Sequence, residues 1–317
     1  MRVLVTGGAG FIGSHVVDGL LAEGHDVAVV DDLSAGSADN VDRRARLYRV
    51  DVRGDGLDEV FAAERPEIVS HHAAQVSVRR SVDEPRLDAE INVLGSLNVL
   101  EAARRHGARR VIFASTGGAI YGEVSGAPAT EGHACRPRSP YAVAKLAVEH
   151  YLDSYALAGG LEAVVLRYAN VYGPRQDPHG EAGVVAIFIQ RILAGLTPTI
   201  FGDGEQVRDF VYVGDVARAN RAACALTLTG ADPVVLNIGT GRGTSVNTLW
   251  RELAAIARPS VSPYHEPVRA GDLVRSILDP AGARDTLGWT PDVDLAHGLR
   301  RTWEWFATRA DRERAAV

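Results

Sequence analysis

Up to about residue 170, short apolar runs alternate with amphipathic segments. The runs "RVLVT" (2–6), "DVAVVD" (26–31), "LYRVDV" (47–52), "EIVSHHAA" (67–74) and "RRVIFAST" (109–116) are rich in β-branched residues. Several are apolar at successive positions, as expected of strands covered on both faces. Between them lie helical patterns such as "IGSHVVDGLLAEG", which ends on Gly24. This alternation predicts an α/β fold with a doubly wound parallel sheet of Rossmann type. After about Asn170 the rhythm loosens. A Pro- and Gly-rich loop (172–183), a helical run "VVAIFIQRILAG", a strand–turn–strand pattern (199–213) and a strand–glycine turn–helix predict a smaller mixed α/β lobe. The expected division is 1–168 for the doubly wound domain and 169–317 for the second lobe, with some later segments returning to the first.

Composition narrows the functions this architecture can serve. The 317 residues carry a net charge of −6, with 46% hydrophobic and 23% charged side chains, ordinary globular values. That balance gives no basic footprint for nucleic acid or an anionic membrane. Any small-anion binding must therefore come from helix N-termini and a few placed arginines. Two cysteines, Cys135 and Cys224, make neither a disulfide framework nor a CxxC metal site. No signal-like h-region or spanning stretch is visible, so a soluble cytoplasmic protein is expected, with no metal.

"VLVTGGAGFIGSHVV" reads as a strand, a glycine turn and a helix. Such a turn lets the backbone approach a pyrophosphate at the positive end of the helix. Gly7–Gly10–Gly13 fits GxxGxxG, and Gly8–Gly10–Gly13 fits GxGxxG. A bare glycine turn is also a common tight connection, but Asp31 ends the second strand at close to the ~20-residue spacing of the ribose-binding carboxylate. A carboxylate there accepts from a 2′-hydroxyl and repels a 2′-phosphate, and Asp32 adds to the repulsion. NAD is expected over NADP, although Asp31–Asp32 also suits turn chemistry in "DDLSAGS".

In "SPYAVAK", Ser139 suits an N-cap and Pro140 the first helical position, which puts Tyr141 in the first turn and Lys145 on the same face. A free tyrosine titrates near ~10, so a base working near neutrality needs its phenolate stabilised by about 4 kcal/mol. The helix N-terminus, the adjacent ammonium and a cationic nicotinamide ring all act in that direction. Taken alone, YxxxK equally describes a solvated helix face. However, "FASTGGAIYG" ends an apolar strand, and small hydroxyls at the carboxyl end of a parallel strand face the ligand crevice. Either Ser115 or Thr116 is placed to hydrogen-bond the oxygen whose proton Tyr141 takes.

With "TGGAGFIGSH", "VVDDLS", "VDVRG", "HHAAQVSVRRSV", "NVLGSLNVLEAA", "FASTGGAIYG", "SPYAVAK", "LRYANVYGPRQDP", "FGDGEQVRDFVYVGDVARA" and "LNIGTGRGTSV" in this order, the chain resembles the extended short-chain dehydrogenase/reductases. Among them it resembles the UDP-glucose 4-epimerases, over nearly its whole length. The resemblance implies that Tyr141 is the base for the sugar 4-hydroxyl while C4 gives its hydride to tightly held NAD. The 4-keto sugar then turns about its diphosphate and takes the hydride back on the other face. Lys145 would tune Tyr141 and hold the nicotinamide ribose, with Thr116 favoured over Ser115 as hydroxyl partner. The cofactor set implied is Gly7, Gly10, Phe11, Ile12 and Gly13 at the pyrophosphate, Asp31, Asp32 and Ser34 at the ribose, and Asp51 and Val52 at the adenine. Ala73, Ala74 and Gln75 fall along the cofactor and Tyr168 near the nicotinamide. Val76 stands where some epimerases carry a phosphate-binding lysine. For the UDP-hexose substrate, Thr116, Asn170, Ile200, Phe201, Arg208, Arg269, Asp272 and Ser276 are implied, the arginines for the diphosphate and Ile200–Phe201 for the uracil. Without the resemblance, either arginine reads as a surface ion pair.

Related dehydratases and decarboxylases carry an acid directly after the strand-end threonine, where this chain has Gly117 and Gly118; both reactions are disfavoured. In the epimerases a small residue at the Ser276 position admits N-acetylated sugars and a tyrosine excludes them. A UDP-glucuronate 4-epimerase is the close alternative, and a catalytically silent NAD-binding regulatory protein is the alternative of another class. His71 and His72, adjacent on a strand, point to opposite faces and make a poor metal pair. The resemblance also implies a homodimer built on the segments "VLGSLNVLEAARRHG" and "YAVAKLAVEHYLDSYALAGG".

Overall fold

The computed structural model describes residues 1–158, 160–178, 183–228, 230, 232–268 and 271–315. Its centre is a parallel sheet built from β1 (Arg2–Thr6), β2 (Asp26–Asp31), β3 (Arg46–Arg49), β4 (Ile68–His71), β5 (Arg110–Thr116), β6 (Glu162–Tyr168) and a seventh strand, Val234–Ile238. The order from one edge is the seventh strand, β6, β5, β4, β1, β2, β3. Thr6 at the end of β1 lies opposite Val30 on one side and His71 on the other, and the order reverses between β1 and β4. That gap at the carboxyl ends of the strands is where open α/β sheets bind ligands.

Alternation along each strand explains the two apolar layers. Val3 and Val5 pack with Val16, Val17 and Leu20 of the helix Phe11–Ala22 and with Val216 and Ala219 of the helix Val213–Ala225. Leu4, between them, faces the other way with Phe61, Val99, Leu100, Val148 and Leu152. A third cluster, including Phe188, Ile200, Phe210, Leu249, Leu299 and Phe306, forms the core of the smaller lobe. Trp303 packs against it from the C-terminal helix Leu295–Ala315, whose last-turn arginines are exposed.

Arg110 is the unexpected member of the core. It opens β5, is fully buried, and shares its guanidinium between Glu162 and the carbonyls of Ala223, Cys224 and Leu226. The last three end the helix Val213–Ala225, where unpaired carbonyls and the negative pole of the helix favour a cation. Removing one partner of a buried pair typically costs ~3–5 kcal/mol. Arg110→Leu is expected to lower unfolding stability by about that amount, read as a reduced urea midpoint at unchanged slope.

Candidate active site

The turn after β1 is shaped by close backbone approach. Gly7 has φ +67°, and a Cβ there would lie 2.6 Å from the Ala73 nitrogen; a Cβ on Gly13 would lie 2.2 Å from the Gly7 oxygen. The turn feeds the helix Phe11–Ala22, whose N-cap is Gly10. No side chain caps it and no acid lies in its first turn, so its first N–H groups have no side-chain acceptor in the cap. Phe11 and Ile12 open this helix and pack against the smaller lobe.

Asp31, at the end of β2, is buried and accepts the Ala9 N–H on one oxygen and the Leu33 N–H on the other, both at 2.9 Å. Each oxygen keeps a lone pair for a ligand hydroxyl. Burial pushes its pKa up, against the two N–H bonds. Beside it, Asp32 accepts from Ser34 through both the backbone N–H and the hydroxyl. Asp51 is clamped by Arg53, which holds its carboxyl below the usual range. Val52 is buried, and its carbonyl accepts from Asn98. Ala73 donates its N–H to Thr6, and Ala74 beside it is half-buried. Tyr168 is buried on the same side, stacked on His72 and bonded to Asn220.

Ser139 accepts the Ala142 N–H and Pro140 opens the helix Pro140–Leu157. Tyr141 and Lys145 therefore share a face, with the Lys145 Nζ 6.0 Å from the phenol ring centroid. Lys145 donates to the Ala114 carbonyl at 3.0 Å and lies 4.8 Å above the Phe113 ring. Thr116 is the strand-end hydroxyl beside Tyr141, close enough to act on its phenol. Ser115 points elsewhere: its hydroxyl is buried and donates to Glu149, whose carboxylate also pairs with Arg167. Alternation along β5 separates the two hydroxyls onto opposite faces.

One electrostatic expectation is corrected. The helix N-terminus and the neighbouring ammonium do not bring the phenol down. Burial pushes Tyr141 up to about 12, the Thr116 hydroxyl opposes, and Asp88 acts in the same direction as burial.

Sequence reading assigned no role to Asp88 and Asn92. The helical stretch beneath Tyr141 and Lys145 opens into a π-turn, Glu90–Leu94, a feature frequent at functional sites. Asn92 there accepts the Gln75 N–H and donates to the Gln75 carbonyl and to Asp88, which also receives the Gln75 side-chain amide. The cue available was the polar Asn92 set between the apolar Ile91 and Val93.

The expected substrate residues lie around a cleft of the smaller lobe. Asn170, Ile200, Phe201, Arg208 and Asp272 line it, joined by Phe188, Gln206 and Phe210. Arg208 is half-buried and donates to the Val207 carbonyl; desolvation lowers its pKa, while Asp272 and Glu123 oppose. Ser276 pairs in register with Arg208 and is buried, its hydroxyl donating to the Gly118 carbonyl at 3.4 Å. Arg269 lies outside the described residues.

A sequence profile of the NAD dependent epimerase/dehydratase family matches residues 3–239. A UDP-glucose 4-epimerase of Mycolicibacterium smegmatis is 46% identical, over 98% of this chain and 100% of its own. The chain belongs to the NAD-dependent epimerase/dehydratase family. Among solved structures, a UDP-glucose 4-epimerase from Thermotoga maritima with UDP-glucose superposes with TM-score 0.94 at 51% identity, covering 98% of this chain and 99% of that one. One from Thermus thermophilus in complex with NAD gives 0.91 at 50%, covering 97% and 99%.

The residues of this family member suit its cofactor. The uncapped helix N-terminus would hold a pyrophosphate, the glycines keep side chains out of its way, and Asp31 has lone pairs to spare for a ribose hydroxyl.

Lys145 titrates within the working range. Burial lowers its pKa from 10.5 to about 8, with Asp88 and Glu149 opposing. The ammonium is thus present below that value and lost as pH rises through it. The kcat/KM of the wild type is expected to fall on the alkaline side with a midpoint near 8. In Lys145→Arg, whose guanidinium keeps its proton, that limb should vanish from the pH profile even if overall activity drops.

Proposed function

We propose that the protein is a UDP-hexose 4-epimerase that interconverts UDP-glucose and UDP-galactose and also accepts the N-acetylated pair. The observation that carries this reading is a Thr116–Tyr141–Lys145 group at a strand end that bears no acid. Tyr141 takes the proton of the sugar 4-hydroxyl and later returns it, while Thr116 holds the same oxygen. Lys145 keeps positive charge beside the phenolate. NAD, when bound, supplies the hydride acceptor and a cationic ring that favours the phenolate. Arg208 and Asn170 hold the diphosphate, and Ile200 with Phe201 packs the uracil. A sugar tethered only through its diphosphate can turn to present either face.

Elimination needs an acid after Thr116, and packing opposes one. A Cβ on Gly117 would lie 2.4 Å from a Leu278 methyl and 3.1 Å from the Arg167 carbonyl. Gly118 has more room, with the Asn170 side chain at 3.4 Å. Ser276 leaves space beside it, which supports entry of an N-acetyl group.

We further propose a homodimer in the cytoplasm. Leu94, Val143, Tyr151 and Leu157 are exposed apolar side chains on and beside the helices Gly95–Arg105 and Pro140–Leu157, and they suit a second copy of the chain. Sedimentation should then give twice the chain mass in the wild type and the single mass in Tyr151→Glu. Cys135 and Cys224 are free thiols, in keeping with a reducing compartment. Among the described residues no helix is long and apolar enough to cross a membrane.

The test is incubation of purified protein with UDP-galactose, UDP-N-acetylgalactosamine or UDP-glucuronate, with and without NAD, and chromatography of the products. Appearance of the 4-epimers of the first two is expected. Turnover of the glucuronate alone would move the assignment to the uronate, and no turnover by NAD-loaded protein would end the epimerase reading. Ser276→Tyr should abolish turnover of the acetylated sugar and spare UDP-galactose.

A further inference from the structure

Glu123 comes shortly after the strand-end glycines and has no place in the chemistry above. Its backbone is pinned: Gly122 has φ +70°, and a Cβ there would lie 2.6 Å from the Arg136 carbonyl, so the chain turns sharply just before it. The exposed carboxylate then reaches the other lobe. One oxygen accepts the Val274 N–H and the other the Arg275 N–H, each at 2.9 Å.

Those two amides sit at the edge of a small sheet. Arg275–Ser276 pairs with Val207–Arg208, and the Val274 carbonyl accepts the Val207 N–H at 2.9 Å. An edge strand presents unpaired N–H groups, and a carboxylate that takes two adjacent ones forms charge-assisted bonds stronger than neutral ones. The 274–275 backbone is thus held from the sheet on one side and by Glu123 on the other. The next residue is Ser276, buried against Gly118, and Asp272 beside Arg208 lies just upstream.

We propose that Glu123 is a positioning residue for sugar recognition: its carboxylate anchors the 271–276 segment, so that Ser276 stands at a fixed depth against Gly118 and Asp272 stays beside Arg208. The proposal rests on the reading of Ser276 and Arg208 as the sugar and diphosphate ends of the site. Glu123 binds no reacting atom. It fixes the distance between the strand-end turn, which carries Thr116, and the segment that bounds the sugar from the opposite lobe.

The experiment uses NAD-loaded wild type, Glu123→Ala and Glu123→Gln. Amide hydrogen exchange is followed at Val274 and Arg275, and kcat and KM are measured with UDP-glucose and UDP-N-acetylglucosamine. In Glu123→Ala the two amides should exchange about tenfold faster and KM should rise about 5- to 20-fold for both sugars, the size of losing hydrogen bonds to a charged group. Bound NAD should be retained and kcat should change by less than about threefold, because Tyr141 and Lys145 are untouched. Glu123→Gln, which keeps an acceptor oxygen, should fall between. Unchanged exchange at Val274 and Arg275 would show that Glu123 holds nothing. Faster exchange with unchanged KM would show that the anchored segment has no bearing on substrate; either result overturns the proposal. Should the wild type turn over no UDP-sugar, the function proposed above fails, while amide exchange still decides whether Glu123 anchors the segment.

Discussion

One buried cation organises the centre of this molecule. The Lys145 ammonium has a single carbonyl and two aromatic rings close at hand, and burying an isolated charge costs several kcal/mol even after relaxation. The fold offsets this with two carboxylates, Asp88 from the neighbouring helix and Glu149 one turn further along its own. Each is fixed by other partners, Asp88 by Gln75 and Asn92, Glu149 by Ser115 and Arg167. The ammonium also acts on its surroundings: burial first, and Lys145 second, bring His71 and His72 down to about 3. A neutral His71 then has one defined tautomer. Ser96 gives its proton to the Asn92 carbonyl, so it accepts from His71 Nε2, and Nδ1 is left to accept from the Thr6 hydroxyl. This chain of bonds ties the π-turn to β1 and β4, and through them to the glycine turn.

The two lobes are joined by a second buried charge. Asp209 lies between the strands Val207–Arg208 and Phe210–Tyr212 and takes the Thr240 and Gly241 N–H groups, the Thr240 hydroxyl and the Leu278 N–H. Its own backbone bonds Asn170 on one side and Ser276 on the other. The loop around it needs glycine, since a Cβ on Gly239 would lie 2.6 Å from the carboxylate. One residue thus ties together Asn170, Arg208 and Ser276, which come from three separate stretches of the chain. Desolvation raises its pKa, and the donors work against that shift.

What was legible in the sequence was what local spacing controls. The apolar runs of β1, β2, β4 and β5 lie where the strands do, because strands covered on both faces must be continuously apolar. Tyr141 and Lys145 share a face because one helix carries both, with Ser139 and Pro140 marking its start. The illegible parts are long-range. Nothing near Arg110 signals that its partners are carbonyls more than a hundred positions away. The π-turn depends on bonds between Gln75, Asp88 and Asn92, and residue spacing cannot reveal a helix that opens by one residue. Residue types alone left Ser115 and Thr116 both open, with Thr116 favoured by the resemblance; alternation puts them on opposite faces, but only the position of Glu149 shows which face Ser115 takes. The direction of the Tyr141 shift was misjudged for a related reason: proximity of a cation can be guessed from i, i+4 spacing, but the depth of burial cannot.

The choice of reaction within this fold depends on packing as much as on catalytic groups. Tyr141 and Lys145 lie on a helix, and Thr116 ends a strand, so this machinery would serve oxidation at a sugar carbon whatever the later step. On the function proposed above, the fate of the oxidised sugar would turn on the two positions after Thr116. The segment around Leu278 meets the loop that follows β5 through an isolated bridge between Ala129 and Leu278, and the Leu278 side chain lies against Gly117. The Asp209–Leu278 bond holds the same segment from the other side. Replacing Gly117 by an acid would therefore require the Leu278 side chain to shift and the new Cβ to sit 3.1 Å from the Arg167 carbonyl. At Gly117, the same contacts that hold the smaller lobe in place work against an acid, which on the proposed reading disfavours elimination.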